Sequence, residues 1–145
     1  MHETVDLPDR DALQSSEMQE MLVDQVHRNK AVVSRLFEEV AYPPRPNIDV
    51  LDEIIAPDYI QHNPFAGQGL EGVKHFFRWL TPLPEWLNAG GRLSVNMIAE
   101  GDFVVRQEIR THGMLIDIFL VRDGLCREHW DAYRPNPGTM RLPGF

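Results

Sequence analysis

Apolar residues recur every three or four positions through the first part of the chain and every second position through the rest. Met18, Leu22, Val26, Val33, Phe37 and Val40 keep the helical spacing, which predicts one long helix from about Ser16 to about Val40. Ser16 followed by Gln19 is spelled like a capping box and marks its start. Proline lacks an amide donor and restricts the residue before it, so Tyr42-Pro43-Pro44-Arg45-Pro46 ends the helix. Asn47 is positioned to cap a short second helix with Ile48, Leu51, Ile54 and Ile55 on one face, stopped by Pro57. Asp58 to Pro64 read as a short extended piece leading into a loop with Gly67 and Gly69. Leu70, Val73, Phe76, Phe77 and Leu80 then predict a third helix, and a looser segment with Pro82, Pro84, Trp86 and Leu87 runs to Gly90-Gly91.

Beyond Gly91 the period falls to two, which marks a change from helices to sheet. Leu93, Val95 and Met97 open a first strand. After the turn Glu100-Gly101-Asp102, a second strand carries Phe103, Val105, Gln107, Ile109 and Thr111 on one side and Val104, Arg106, Glu108 and Arg110 on the other. The more apolar first set is expected to face the core. Met114 to Val121, apolar on both sides except for Asp117, and Leu125 to Tyr133 read as a hairpin about Arg122-Asp123-Gly124. Helices first and a meander of strands afterwards predict an α+β fold, a curved antiparallel or mixed sheet wrapped around the N-terminal helices. Residues 1–14 are polar, acidic and aperiodic and are expected to form a flexible arm. Residues 15–134 form a single domain, and 135–145, with Pro135, Pro137 and Pro143, a tail.

Composition narrows the picture little but excludes some classes. At 145 residues, with 43% hydrophobic and 25% charged residues, the chain suits one soluble domain. No apolar run approaches the roughly 20 residues of a membrane helix, and Met1 to Asp6 carry neither a basic leader nor an apolar core, so a cytoplasmic location is expected. A net charge of −8 with scattered Lys and Arg argues against nucleic acid or anionic membranes as partners. Cys126 is the single cysteine, which excludes an internal disulfide, and strand alternation turns it away from His129. There is no Gly-x-Ser-x-Gly elbow. Gly67 to Gly72 spell G-x-G-x-x-G without a preceding buried strand, a chance match. No metal and no organic cofactor is expected, the remaining alternative being convergence of His62, His112 and His129 on an ion.

The candidate chemistry lies in the hairpin. Ionisable groups on apolar strands need a reason, and alternation sets His129 and Asp131 on one face, opposite Asp117. In a pocket these groups would transfer protons, because burial and mutual repulsion separate the affinities of two carboxylates. The alternative is a rim salt bridge with Arg106, Arg110, Arg122 or Arg127. His62, at the end of the extended piece, either donates to a substrate oxygen or fixes its turn by bonding a backbone carbonyl. Tyr59, Phe76, Trp79, Trp86, Met97 and Met114 are candidates for lining a cavity for a flat, apolar ligand, although aromatic and Met residues at such spacing also build cores. Gln107, the lone amide on its apolar face, would bond Asp117, Asp131 or the ligand.

Ala56-Pro57-Asp58-Tyr59-Ile60-Gln61-His62-Asn63-Pro64, Gly69 to Phe77, Ala99-Glu100-Gly101-Asp102, Asp117-Ile118-Phe119 with Asp123-Gly124, and Glu128-His129-Trp130-Asp131 follow one another in order. This series, over about residues 30–134, resembles the SnoaL-like polyketide cyclase family within the nuclear transport factor 2-like superfamily. The resemblance implies a cone-shaped α+β barrel, a pocket between sheet and helices, and a homodimer. It also implies acid/base chemistry without metal or cofactor, with Asp131 at the position of the cyclases' general acid/base. Asp117 stands where those enzymes can carry a histidine, and Leu120 where many relatives have arginine. Cyclisation of a small, mostly apolar, natural-product-like substrate is the leading expectation. Epoxide hydrolysis, isomerisation or dehydration on the same fold, and a non-catalytic binding protein, are the alternatives.

Overall fold

The computed structural model describes residues 10–42, 46–80 and 91–136. Helix α1 (Arg10–Arg35) begins earlier than the capping box suggests, so Ser16 and Gln19 lie inside it and residues 10–14 are helical rather than part of an arm. Residues 1–9 and 137–145, which include the rest of that arm and most of the expected tail, lie outside the described residues. The last turn of the helix widens over Leu36–Ala41, where the Tyr42 amide donates to the Phe37 carbonyl at 2.9 Å. The widening brings Leu36, Phe37, Val40 and Ala41 onto the core together.

Asn47 starts the next element with its backbone carbonyl, which accepts from the Val50 amide, and its side chain makes no capping bond. A single 3₁₀ turn (Ile48–Val50) leads into the short α2 (Leu51–Ile54). Pro57 does not stop that helix. It sits exposed inside strand β1 (Ile55–Gln61), and because β1 is an edge of the sheet, the missing amide leaves no ladder bond unmade.

Helix α3 (Gly69–Trp79) packs on β1. The G-x-G-x-x-G spelling has a packing explanation. A Cβ on Gly67 would approach Gly72 Cα to 2.9 Å, and one on Gly72 would clash harder with the Gly67 backbone, so two backbones cross there.

Strands β2 (Arg92–Glu100), β3 (Phe103–Arg110), β4 (Gly113–Arg122) and β5 (Leu125–Pro135) form an antiparallel meander. β1 joins β5 in parallel, giving the order β1-β5-β4-β3-β2. The sheet is therefore mixed and curved against the helices, and its edges β1 and β2 do not meet: an α+β cone rather than a closed barrel. Val33, Phe37 and Val40 of the first helical stretch, Leu51 and Ile54 of α2, and Phe119 and Val121 of β4 form the core.

Two expectations about strand faces fail. On β3 the inward set is Val104, Arg106, Glu108 and Arg110, all buried, whereas Phe103 is exposed and Val105, Gln107 and Ile109 are only half-buried. The apolar-inside rule reverses because the charges on the inner face satisfy one another. On β5, Val121 pairs with Cys126 while Leu120 pairs with Glu128, so Arg127 is an extra residue in a bulge. The bulge resets the alternation and turns both Cys126 and His129 inward.

Candidate active site

The inner face of the cone carries two groups of ionisable residues. The first is the stripe at alternate positions of β3. Glu108, completely buried, receives Arg106 Nη1 on Oε2 and Arg110 on Oε1, each at 2.6 Å, and the Tyr42 hydroxyl donates to Oε2 at 2.9 Å. Arg110 Nη2 also donates to the Tyr42 oxygen at 2.7 Å, and the Arg106 guanidinium lies 3.7 Å over the Phe37 ring. Burial by itself would raise the Glu108 carboxyl, but Arg106 and Arg110 hold it below the usual carboxylate range. The Tyr42 phenol is pushed up to about 12 by burial and by Glu108.

The second group is built where β4, β5 and β1 run side by side. Register pairs Asp117 with Asp131 and Phe119 with His129, and the parallel pairing of β1 brings Gln61 alongside His129. Asp117 Oδ1 lies 3.0 Å from His129 Nε2, and His129 Nδ1 lies 2.8 Å from Gln61 Oε1. The imidazole stacks on Phe119, centroids 4.4 Å apart. Asp117 Oδ2 has no hydrogen-bond partner among the described residues; its nearest cation is Arg106 Nη1 at 3.9 Å. Burial raises the Asp117 carboxyl, outweighing His129 and Arg106, which favour its ionised form. Asp131 stands beside the pair, less buried, with Asn63 Nδ2 donating to its Oδ2 at 2.7 Å.

The end of β1 holds this arrangement. The Asn63 amide donates to Gln61 Oε1 at 3.0 Å, and Gln68, just before α3, accepts from the Gln61 amide and donates to its carbonyl. Tyr59 is buried on the same side, hydrogen-bonded with Gln61, and its phenol is raised by burial first and then by Cys126, Asp117 and Asp131. One donor atom each of Asp117, His129 and Asp131 falls within a 4.8 Å span. Within this set Asp117 Oδ1 faces His129 Nε2 and Asp131 Oδ2 accepts from the Asn63 side-chain amide, an arrangement of two carboxylates and an imidazole that can exchange protons and whose spacing could also hold an ion.

The other sequence candidates divide. Met97 is on the inner face opposite Arg106, and Phe76 is half-buried against Phe77. Gln107 and Met114 are on the outer face, where Gln107 bonds Asn96 and contacts the Met114 sulfur, so neither lines the inner face as expected. Trp79 is 74% exposed at the end of α3, a poor cavity wall, and Trp86 lies outside the described residues. His62 stacks on Trp130 at 4.8 Å and bonds Glu128 at 2.7 Å on the opposite side of the sheet edge, away from Asp117, and among the described residues its ring makes no bond to the backbone carbonyl foreseen for it. His112 bonds Tyr133 at the β3–β4 turn, so the three histidines do not converge. Cys126 is sealed, its thiol pushed up to about 12 by burial.

Sequence reading passed over Gln61, Asn63 and the Arg106–Glu108–Arg110 stripe. A signal existed for the last: opposite charges at alternate positions of one strand can neutralise each other on a single face. None existed for Gln61, whose role depends on a parallel strand partner 68 residues away.

No family model matches the chain, nor does any curated protein. Solved structures do. A candidate SnoaL-like polyketide cyclase from Jannaschia sp. CCS1 is 22% identical with a TM-score of 0.57 over 75% of this chain and 87% of its own. An NTF-2-like protein of unknown function from Burkholderia xenovorans LB400 is 16% identical with a TM-score of 0.56, over 83% and 91%. IdmH, a candidate polyketide cyclase from Streptomyces antibioticus, is 19% identical with a TM-score of 0.50, over 72% and 91%. The fold is thus the α+β cone found in SnoaL-like and nuclear transport factor 2-like proteins.

Proposed function

We propose that this cone is a cofactor-independent acid/base enzyme acting on a small, mostly apolar, polyketide-type substrate, with ring closure as the reaction. The observation that carries the reading is the Asp117–His129 pair facing Asp131 on the inner side of the sheet. Closure of aldol type needs a base for a proton beside one carbonyl and an acid for the oxygen of another. Asp131, the less buried carboxylate, takes the carbon-bound proton. The resulting enolate carbon bonds to the second carbonyl carbon, and the alkoxide formed receives the proton held between Asp117 and His129. Return of the proton from Asp131 to the pair resets the site. Met97 and Leu115 on the neighbouring inner face offer apolar contact.

Epoxide opening is less well supported, because Arg106 bonds Glu108 at 2.6 Å and stays 3.9 Å from Asp117, beyond a hydrogen bond. We also propose that the outer sheet face, where Ile98 and Phe103 are exposed, packs against a second copy. Sedimentation as a monomer at micromolar concentration would remove that second proposal.

The test of function is turnover of linear chains with 1,3-related carbonyls, followed by mass and absorbance. Asp131→Asn is expected to lower kcat by roughly 10²–10⁴, the usual size of a general acid/base contribution. Undiminished turnover by a folded Asp131→Asn protein ends the reading.

A further inference from the structure

Gln61 sits between two groups whose needs are not symmetrical. The Asn63 backbone amide can only donate, and it points at Gln61 Oε1 from 3.0 Å. The atom there must therefore be the amide oxygen, since the reversed side chain would oppose two donors. The same oxygen lies 2.8 Å from His129 Nδ1 and has no proton to give, so Nδ1 must carry one. Gln68 holds the Gln61 backbone in place by accepting from its N–H and donating to its C=O.

Once Nδ1 is the N–H, a neutral imidazole presents its bare Nε2 to Asp117 Oδ1 at 3.0 Å. An ionised Asp117 would then set a lone pair against an anion in a site where both residues are buried. One more proton must lie between them, on Nε2 or on Oδ1.

Building on the acid/base reading of this site, we infer that Gln61 is a positioning residue: by dictating the Nδ1–H form of His129 it obliges the Asp117–His129 pair to retain a single shared proton and a net charge of zero. The surroundings agree. Tyr59 and Gln61 from β1, Arg106 from β3, Phe119 from β4 and Cys126 and Asp131 from β5 face the pair, and the one cation among them is engaged by Glu108. The shared proton is the one available to a developing oxyanion. Gln61 touches no reacting atom and acts through His129.

The experiment is a long-range ¹H–¹⁵N correlation on the full chain labelled in its histidines, from about pH 5 to 9, the range in which imidazole protons move. The His129 signals are identified by their loss in a His129→Gln protein. Nδ1 is expected to be of N–H type throughout, and Nε2 to be partly or wholly protonated through Asp117. Gln61→Leu removes the acceptor, so the ring is expected to turn its N–H to an ionised Asp117, and the pair to release its extra proton about one pH unit or more lower. Gln61→Glu, which keeps an acceptor, is expected to restore the Nδ1–H pattern. A wild-type spectrum with bare Nδ1 and protonated Nε2 overturns the inference by itself, even if Gln61→Leu fails to fold. An unchanged spectrum in a folded Gln61→Leu protein overturns it too. No substrate is involved, so the expected spectrum together with undiminished turnover in Asp131→Asn would refute the catalytic reading alone.

Discussion

The β3 stripe and the Asp117–His129 pair share one face of one sheet and are equally hidden from water, yet they are opposite in kind. Around Glu108 every oxygen is met: two guanidinium groups and a phenol converge on one carboxylate. Around Asp117 one oxygen faces an imidazole and the other has no hydrogen-bond partner among the described residues. Burial acts on both acids, but only Glu108 has enough direct cationic partners to end below the usual range. The difference teaches that burial of charge does not by itself mark a functional site. A network whose donors and acceptors are all used up is architecture, and a buried acid with unused capacity next to a less buried carboxylate is the arrangement on which the proposed proton transfer rests.

The contrast can be broken first at its structural end. Glu108→Ala would leave Arg106 and Arg110 buried without their carboxylate, and a loss of about 3–5 kcal/mol in urea unfolding is expected, enough to unfold a marginal domain. A loss under about 1 kcal/mol would mean that the stripe is not the ionic scaffold described here.

The next effect distinguishes the two acids by pH. Asp117 is raised, so the folded state holds a proton that the unfolded chain has already released, and its contribution to stability falls as pH climbs from the ordinary carboxylate range toward the folded value. Glu108 is lowered, so the stability it contributes is present above the ordinary range and is lost as pH falls through its folded value. Asp117→Asn should therefore gain on the wild type as pH rises, in unfolding curves collected across the range, while its turnover collapses. A stability difference that does not vary with pH would remove the assignment of Asp117 as a raised acid.

The smallest effect is on the outer side. His62→Ala loses a stack on Trp130 and a partly exposed bridge to Glu128, and stability should change by no more than about 1 kcal/mol with turnover kept. A large loss of kcat with normal folding would return His62 to the site.

Much of the fold can be read along the chain. The switch of period after Gly91 marks helices before sheet, and alternation puts His129 and Asp131 on one face. The site is legible only in part. Of the Gln61-His62-Asn63 run, histidine draws attention because of its chemistry, while the flanking amides are what reach His129 and Asp131. Side chains of adjacent residues on an extended strand leave on opposite sides, so His62 and its neighbours could not all have served the same face.

What the sequence by itself determined is local: the order of helices and strands and the turn that makes the β4–β5 hairpin. Only the tertiary structure decided which face of β3 is inside, that a bulge at Arg127 turns Cys126 and His129 the same way, and that β1 docks parallel to β5 to deliver Gln61. The physical reason is that alternation specifies two faces without labelling either as inner. The label comes from burial summed over partners distant in the chain, and there an ion pair that satisfies itself can take the inner side from an apolar neighbour.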